Sequence, residues 1–509
     1  MRKLDFLVIV ILSLISCFLM WHTFSYSSNN LLISLKAWGD FAAHIPLIRS
    51  FSWGSNFPPE LPLFPGSPIR YHYLFYLLVG LLERLGLRLD FAFNLPSALG
   101  FSLMLFMVYK LSFLLFGKKI ISLLSVVFCL FNGSLSYVDF LTRHKLSELI
   151  SLKDFPAFAP WNSSRVVAFW NLNIFTNQRH LAPAFAIALF IIYLCLTRRF
   201  SWIGFLLGLL LLLNQPAFLV SSIFVFVFFV FNPNSRLRLI ISAYFIIPWT
   251  FILLTTTQTS PQLIFRPGFL TPEPRTLFNI IKFWFFNIGP HLLLIPLGFI
   301  LSPKKHLPII ISLLLIFLLP NLFQFSSDMI NNHKLFNFFL MLGGVFSAYA
   351  LTKLPKLVAA PLFIFCILGG LVDIFPVIND NYVTVADVSA SPMAQFFSTL
   401  PSRSVVLNST WFYNPASLVG RPIYYGYPYV SFSYGYDQIA RESSALAIFR
   451  ASSKSQACQL LSSANISYVE LSVYPEAHIN PNLTTWGEFA PIFTDSSGNV
   501  VYSVSKSCI

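Results

Sequence analysis

A chain of 509 residues with 56% hydrophobic side chains, 10% charged ones and a mean hydropathy of +0.71 is too apolar to fold around one water-enclosed core. It must bury apolar surface in lipid, which excludes a soluble enzyme or binding module. The formal charge of +14 does not point to nucleic acid: residues 380–509 hold 6 basic and 8 acidic side chains, so the 27 basic and 11 acidic ones before them carry the whole excess as a topology signal.

Residues 4–24 follow Arg2 and Lys3 as a signal peptide's apolar core would, but no small-x-small cleavage site follows, and they read as an uncleaved first helix. Further apolar runs of spanning length lie at 93–116, 119–137, 180–197, 201–214, 216–232, 237–256, 277–301, 307–323, 334–351 and 356–376. One more candidate, 73–89, is short and carries Glu83 and Arg84. The basic pairs Lys118/Lys119, Arg198/Arg199, Arg236/Arg238, Lys304/Lys305 and Lys353/Lys356 all face the cytoplasm only if 73–89 does not cross. The expected architecture is a mainly α polytopic membrane bundle of about eleven spans, amino terminus inside, with a juxtamembrane or re-entrant helix over 73–89. Every acid before the tail except Asp5 then falls on or near the outer side, and any chemistry is extracytoplasmic.

The first outer loop, 25–92, is long and rich in proline and aromatic residues, the kind of loop that carries function. Within it, 38–53 predicts an amphipathic interfacial helix with Asp40 and His44 on one face. The second outer loop holds Arg143, His144 and Arg165, and Arg179-His180 stands at the mouth of the next helix. Asp328 and His333-Lys334 stand at the mouth of a later one. From about 380 the composition turns to Ser, Asn, Tyr and Pro: 404–407, 467–473 and 500–504 read as strands and 443–463 as a helix. The chain thus divides into a membrane domain, 1–379, and a small extracytoplasmic α/β domain, 380–509. Cys17, Cys129, Cys195 and Cys366 read as packing residues, whereas Cys458 and Cys508 in the tail are open to a disulfide or to two free thiols.

Asn94-Leu95-Pro96-Ser97-Ala98-Leu99-Gly100, running on to Phe116-Gly117-Lys118-Lys119, resembles the second-span segment of the GT-C superfamily of polyprenyl-phosphate-dependent membrane glycosyltransferases, which includes the protein mannosyltransferases and aminoarabinose transferases. Tyr71-His72-Tyr73 and the residues after it are similar to that family's outer helix, although the usual His-Pro-Pro is absent. Asp40 matches the position of the family's catalytic aspartate, and His333-Lys334-Leu335-Phe336-Asn337 resembles the helix that faces the lipid-phosphate donor. The resemblance implies inverting transfer of a sugar from a polyprenyl-phosphate donor to an extracytoplasmic glycan, lipid or protein acceptor.

Such transfer needs a carboxylate to take the acceptor's proton and cations to hold the departing phosphate. Asp40 is the expected base, and Glu60 a second acid. His44, Arg70, His72, Arg179, His180, His333 and Lys334 are the expected substrate-binding residues, set against interfacial belts and lipid headgroups as the ordinary use of such side chains. Asp40 and Glu60 are oxygen ligands of the type Mg²⁺ or Mn²⁺ takes, but there is no DxD-like pair, so the sequence requires no cofactor. A transporter or lipid flippase would show inverted repeats and paired broken helices, and none is visible; a non-catalytic assembly subunit whose tail binds partners would tolerate loss of Asp40.

Overall fold

The computed structural model describes residues 3–131, 133–157, 172–258, 263–326 and 328–508; Arg165 lies outside them. The chain opens with α1 (Lys3–Thr23), whose 21 apolar-rich residues match the thickness of a bilayer's hydrocarbon core. It turns directly into a hairpin, β1 (Phe24–Ser27) and β2 (Asn30–Ser34), reversed through Ser28 at φ 54°. α2 (Trp38–Ser52) follows, with Asp40 in its first turn, where a carboxylate opposes the positive end of the helix dipole. Phe41 to Ser52 are all buried, so this part of α2 lacks the solvent-exposed face that its amphipathic sequence predicts. Other elements cover it beyond its first turn.

One of these is α3 (Leu74–Arg84), which packs along α2 and at 11 residues is too short to cross a bilayer. α4 (Leu89–Phe116) is 28 residues long and stops at Gly117, whose φ of 69° gives the left-handed cap that a following residue with a Cβ resists. It packs against α1 and the helix Leu181–Leu196. At the second contact a Cβ on Gly100 would stand 2.6 Å from Pro183, so the close approach depends on glycine.

Among the described residues six helices are long and apolar enough to cross a membrane alone: Lys3–Thr23, Leu89–Phe116, Pro233–Thr256, Lys304–Leu322, His333–Leu351 and Lys356–Ile378. The pair Leu277–Ile288 and His291–Leu301, bent by 92°, would make a seventh. Lys119–Leu130, Leu181–Leu196, Ile203–Leu213 and Gln215–Phe231 are apolar but shorter. The hydropathy runs overstate helix length where polar caps interrupt them: Asn214 ends one helix and its side chain accepts the Ala217 N–H of the next (2.9 Å).

The tail does not begin as a separate body. Its first strand, Tyr382–Ala386, pairs antiparallel with β2, Leu32 opposite Thr384, and completes a three-stranded sheet begun by the first loop. Beyond it, Val406–Leu407 runs parallel to Tyr468–Leu471, and Val500–Ser503 and Pro491–Thr494 continue that second sheet antiparallel. The single helix expected over 443–463 is two, Gln438–Phe449 and Lys454–Ser463, because Ser453 caps the second by accepting from the Gln456 N–H. Cys458 and Cys508 are disulfide-bonded.

A buried charge cluster joins tail and first loop. Arg49 of α2, 2% exposed, reaches Glu83 of α3 at 2.9 Å and Asp387 of the tail at 3.0 Å, and the Tyr26 hydroxyl donates to Asp387 at 2.5 Å. Just beyond α2, Gly54 meets Gly420; a Cβ on Gly420, at φ +72°, would lie 2.4 Å from the Arg49 carbonyl oxygen. These contacts fix the direction of α2 and hence where Asp40 points.

Candidate functional site

The amino-terminal turn of α2 opens on a cavity of about 1050 Å³, walled by the first loop, residues 154–155, the segment before the helix at 181–196, the first turns of the helices at 215–231 and 333–351 with the segment 325–331, and the tail. Gly39 leaves the wall open, since a Cβ there would meet nothing within 4 Å. Asp40 stands beside it. Burial lifts its carboxyl from the ordinary range to about 6, against the opposing pull of the Lys334 charge and a hydrogen bond from Asn177. Asn177 is itself held by donating to the Lys36 carbonyl oxygen at 2.7 Å.

Lys334, buried in the first turn of the helix His333–Leu351, lines the same cavity, and both Asp40 and Asp328 act on its charge. Its ammonium and the positive end of that helix's dipole therefore lie together at the cavity wall. Asp328 also lines the wall and accepts from the Tyr429 hydroxyl at 2.6 Å, a link from the tail to the bundle.

His44 lies one turn along α2 from Asp40, its ring 4.8 Å from that of Tyr76. Burial, with Arg179 and Lys334 nearby, pushes its imidazole down to about 3. His72 also faces the cavity and is likewise held well below its usual value by burial. Both rings are neutral at physiological pH, which makes them hydrogen-bonding groups rather than phosphate-binding cations. Arg70 lines the wall with its guanidinium over the Tyr436 ring at 4.8 Å and donating to the Gly435 carbonyl oxygen.

Four of the expected residues do not come to the cavity wall. Arg179 is fully buried as a strut: Nε donates to Thr176 O (2.6 Å), Nη1 to Asn94 Oδ1 (2.7 Å), and Nη2 to Thr23 Oγ1 (2.7 Å) and Met20 O (3.1 Å). Its donors are committed to tying α1 to α4. His180 lies between the hydroxyls of Tyr76 (2.8 Å) and Tyr71 (3.4 Å). His333 turns to the Asn337 side chain at 3.0 Å. Glu60 accepts from the Gly66 N–H at 2.9 Å and closes its own loop.

In their place the wall carries Lys36, Asp154 and Asp328, none of them singled out as site residues from sequence. Lys36 is paired with Asp380 at 2.9 Å, which leaves Lys334 the more available cation of the two. Among the described residues no three His, Cys, Asp or Glu side chains group as ligands around a common point.

Residues 40–189 match the model of a family described as an uncharacterized membrane protein family, DUF2298. No curated protein matches the chain by sequence. Among solved structures, ArnT from Cupriavidus metallidurans in the apo state is similar with a TM-score of 0.52 at 9% identity, over 98% of this chain and 97% of that one. The same protein bound to undecaprenyl phosphate gives 0.49 at 9% identity over 98% and 97%. The Archaeoglobus fulgidus oligosaccharyltransferase tethered to an acceptor peptide gives 0.47 at 14% identity, over 100% of this chain and 75% of that one. The chain is an integral membrane protein, and its fold is of the ArnT type.

Proposed function

We propose that this chain, which has the fold of the GT-C membrane glycosyltransferases, moves a sugar from a polyprenyl-phosphate donor to an acceptor hydroxyl on the extracytoplasmic side, with inversion. The observation that carries the reading is a half-buried carboxylate, Asp40, and a buried ammonium, Lys334, that line one cavity and whose charges act on each other. Asp40 takes the acceptor's proton as its oxygen attacks the anomeric carbon; the bond from that carbon to the phosphate oxygen breaks, and Lys334 with the amino-terminal turn of its helix receives the phosphate charge. His44 and His72, neutral, hydrogen-bond the sugar between them.

A carboxyl lifted to about 6 is a stronger base than an ordinary aspartate and still mostly ionised at pH 7. The active form is the deprotonated one, so turnover is expected to fall as pH drops through about 6 and to show no such limb at pH 4. A pH–rate profile measured in detergent checks this, and an acid limb at an ordinary aspartate's value counts against Asp40. Lys334→Ala is expected to raise the donor KM by about tenfold or more, since it removes a charge-assisted contact to phosphate. Donor titrations at saturating acceptor test it, and an unchanged KM removes Lys334 from phosphate binding.

The reading as a whole is tested by incubating the purified chain with a panel of polyprenyl-phosphate sugars and following donor consumption. Consumption of at least one donor supports it; none across a broad panel overturns it.

A further inference from the structure

Two cavity-lining tyrosines, Tyr427 and Tyr429, stand at the start of the short tail helix Pro428–Ser433. From them a ladder of rings leads out over the tail: Tyr429 to Tyr427 at 6.2 Å, Tyr427 to Phe412 at 4.5 Å and to Trp411 at 6.1 Å, Trp411 to His478 at 4.7 Å. Tyr429 is 40% exposed and the other four are only half-buried, so this is not a closed core cluster. Its edges carry carboxylates. The Tyr429 hydroxyl meets Asp328, His478 Nε2 lies 3.3 Å from Glu442, and Glu476 accepts from the Trp411 N–H at 3.0 Å.

We propose that this ladder binds a neutral saccharide chain and that such a chain is the acceptor, an inference that rests on the transfer reading for the word acceptor alone. A pyranose has an apolar C–H face that packs on an aromatic ring and a rim of hydroxyls that donate to carboxylates, the two surfaces that alternate here. A bare alkyl chain would strip water from the carboxylates and tyrosine hydroxyls and offer no hydrogen bond in its place. An anionic acceptor would meet like charge along the ladder's edge. The ladder ends where Asp328 and Lys334 share the cavity wall, so a saccharide lying on it presents its terminal hydroxyl toward Asp40.

The test is calorimetric titration of the full chain in detergent with neutral tetrasaccharides of glucose, mannose, galactose and N-acetylglucosamine. Wild type, Trp411→Ala, Tyr427→Ala and the ring-keeping Trp411→Phe and Tyr427→Phe are compared. At least one tetrasaccharide is expected to bind, about tenfold or more weaker in the alanine variants and within about threefold in the ring-keeping ones. Absence of binding to the wild type, or equal binding by the alanine variants, overturns the inference, as does ring-dependent binding of a serine-rich peptide in place of every saccharide. Ring-dependent saccharide binding in a chain that consumes no lipid-linked donor keeps the ladder as a saccharide site and overturns the transfer reading; donor consumption without such binding does the reverse.

Discussion

Asp40→Asn is expected to lower sugar transfer by about a hundred- to ten-thousandfold, the range that loss of a positioned general base spans. The substitution keeps size and shape. Burial works against the charge at this position, so the neutral amide relieves a desolvation cost rather than adding one, and the thermal unfolding midpoint is expected to hold or rise. Whatever transfer remains is expected to lose the acid limb near pH 6, because the group that titrates there is gone. Turnover at the wild-type rate, or a residual rate with the same acid limb, removes Asp40 from proton transfer. A collapse of stability alongside activity would instead mark Asp40 as a structural residue.

Arg49→Ala is expected to be the most damaging single change to the fold outside the bundle, at about 3–5 kcal/mol, the usual cost of stripping one partner from a buried ion pair. Here one cation serves two carboxylates, Glu83 and Asp387, and also donates to the Leu418 carbonyl oxygen. The pH dependence has a definite sign. Burial raises the Glu83 carboxyl above its usual value and Arg49 pulls it down, so removing Arg49 lifts it further. A raised carboxyl stabilises the folded state below its unfolded value and loses that stability as pH rises through the folded one. The deficit of the variant against wild type is therefore expected to be largest at neutral and alkaline pH and to shrink on acidification. Unfolding midpoints measured from pH 4.5 to 8 decide it, and a deficit independent of pH would show that the loss is packing alone. Activity should fall with stability, since α2 carries Arg49 and Asp40 on one rigid body.

Scarce charge in an apolar chain marks side chains that line the cavity and side chains that do not, without telling them apart. It points to Asp40 and Lys334, which share a cavity, and with equal force to Arg179, whose partners Met20, Thr23 and Asn94 come from two distant segments and leave no local trace. Glu60 reads as a second acid because nothing in its neighbourhood announces that it will accept from the Gly66 N–H. The helical period over 38–53 is visible in sequence and corresponds to α2, but what covers α2 is not, because Arg49, Glu83 and Asp387 meet only after the tail has folded back. Hydropathy finds the apolar segments and misses the breaks within them, since a single Asn214 cap hardly changes a window average. The ring ladder is legible only as an aromatic-rich tail, because its rungs come from residues 411 to 478 and join through tertiary contact.

The sheet that β2 shares with Tyr382–Ala386 also sets a clock. Asn30 leaves the ribosome 352 residues before Tyr382, and at about 5–20 residues per second that is roughly 20–70 s of synthesis. Through all of it the outer edge of β2 lacks its partner strand, and Arg49 and Glu83 await Asp387. The helix that carries Asp40 can therefore settle into its final orientation only after the last membrane helix has been made, so a nascent chain arrested before residue 382 should hold every span and lack a formed cavity.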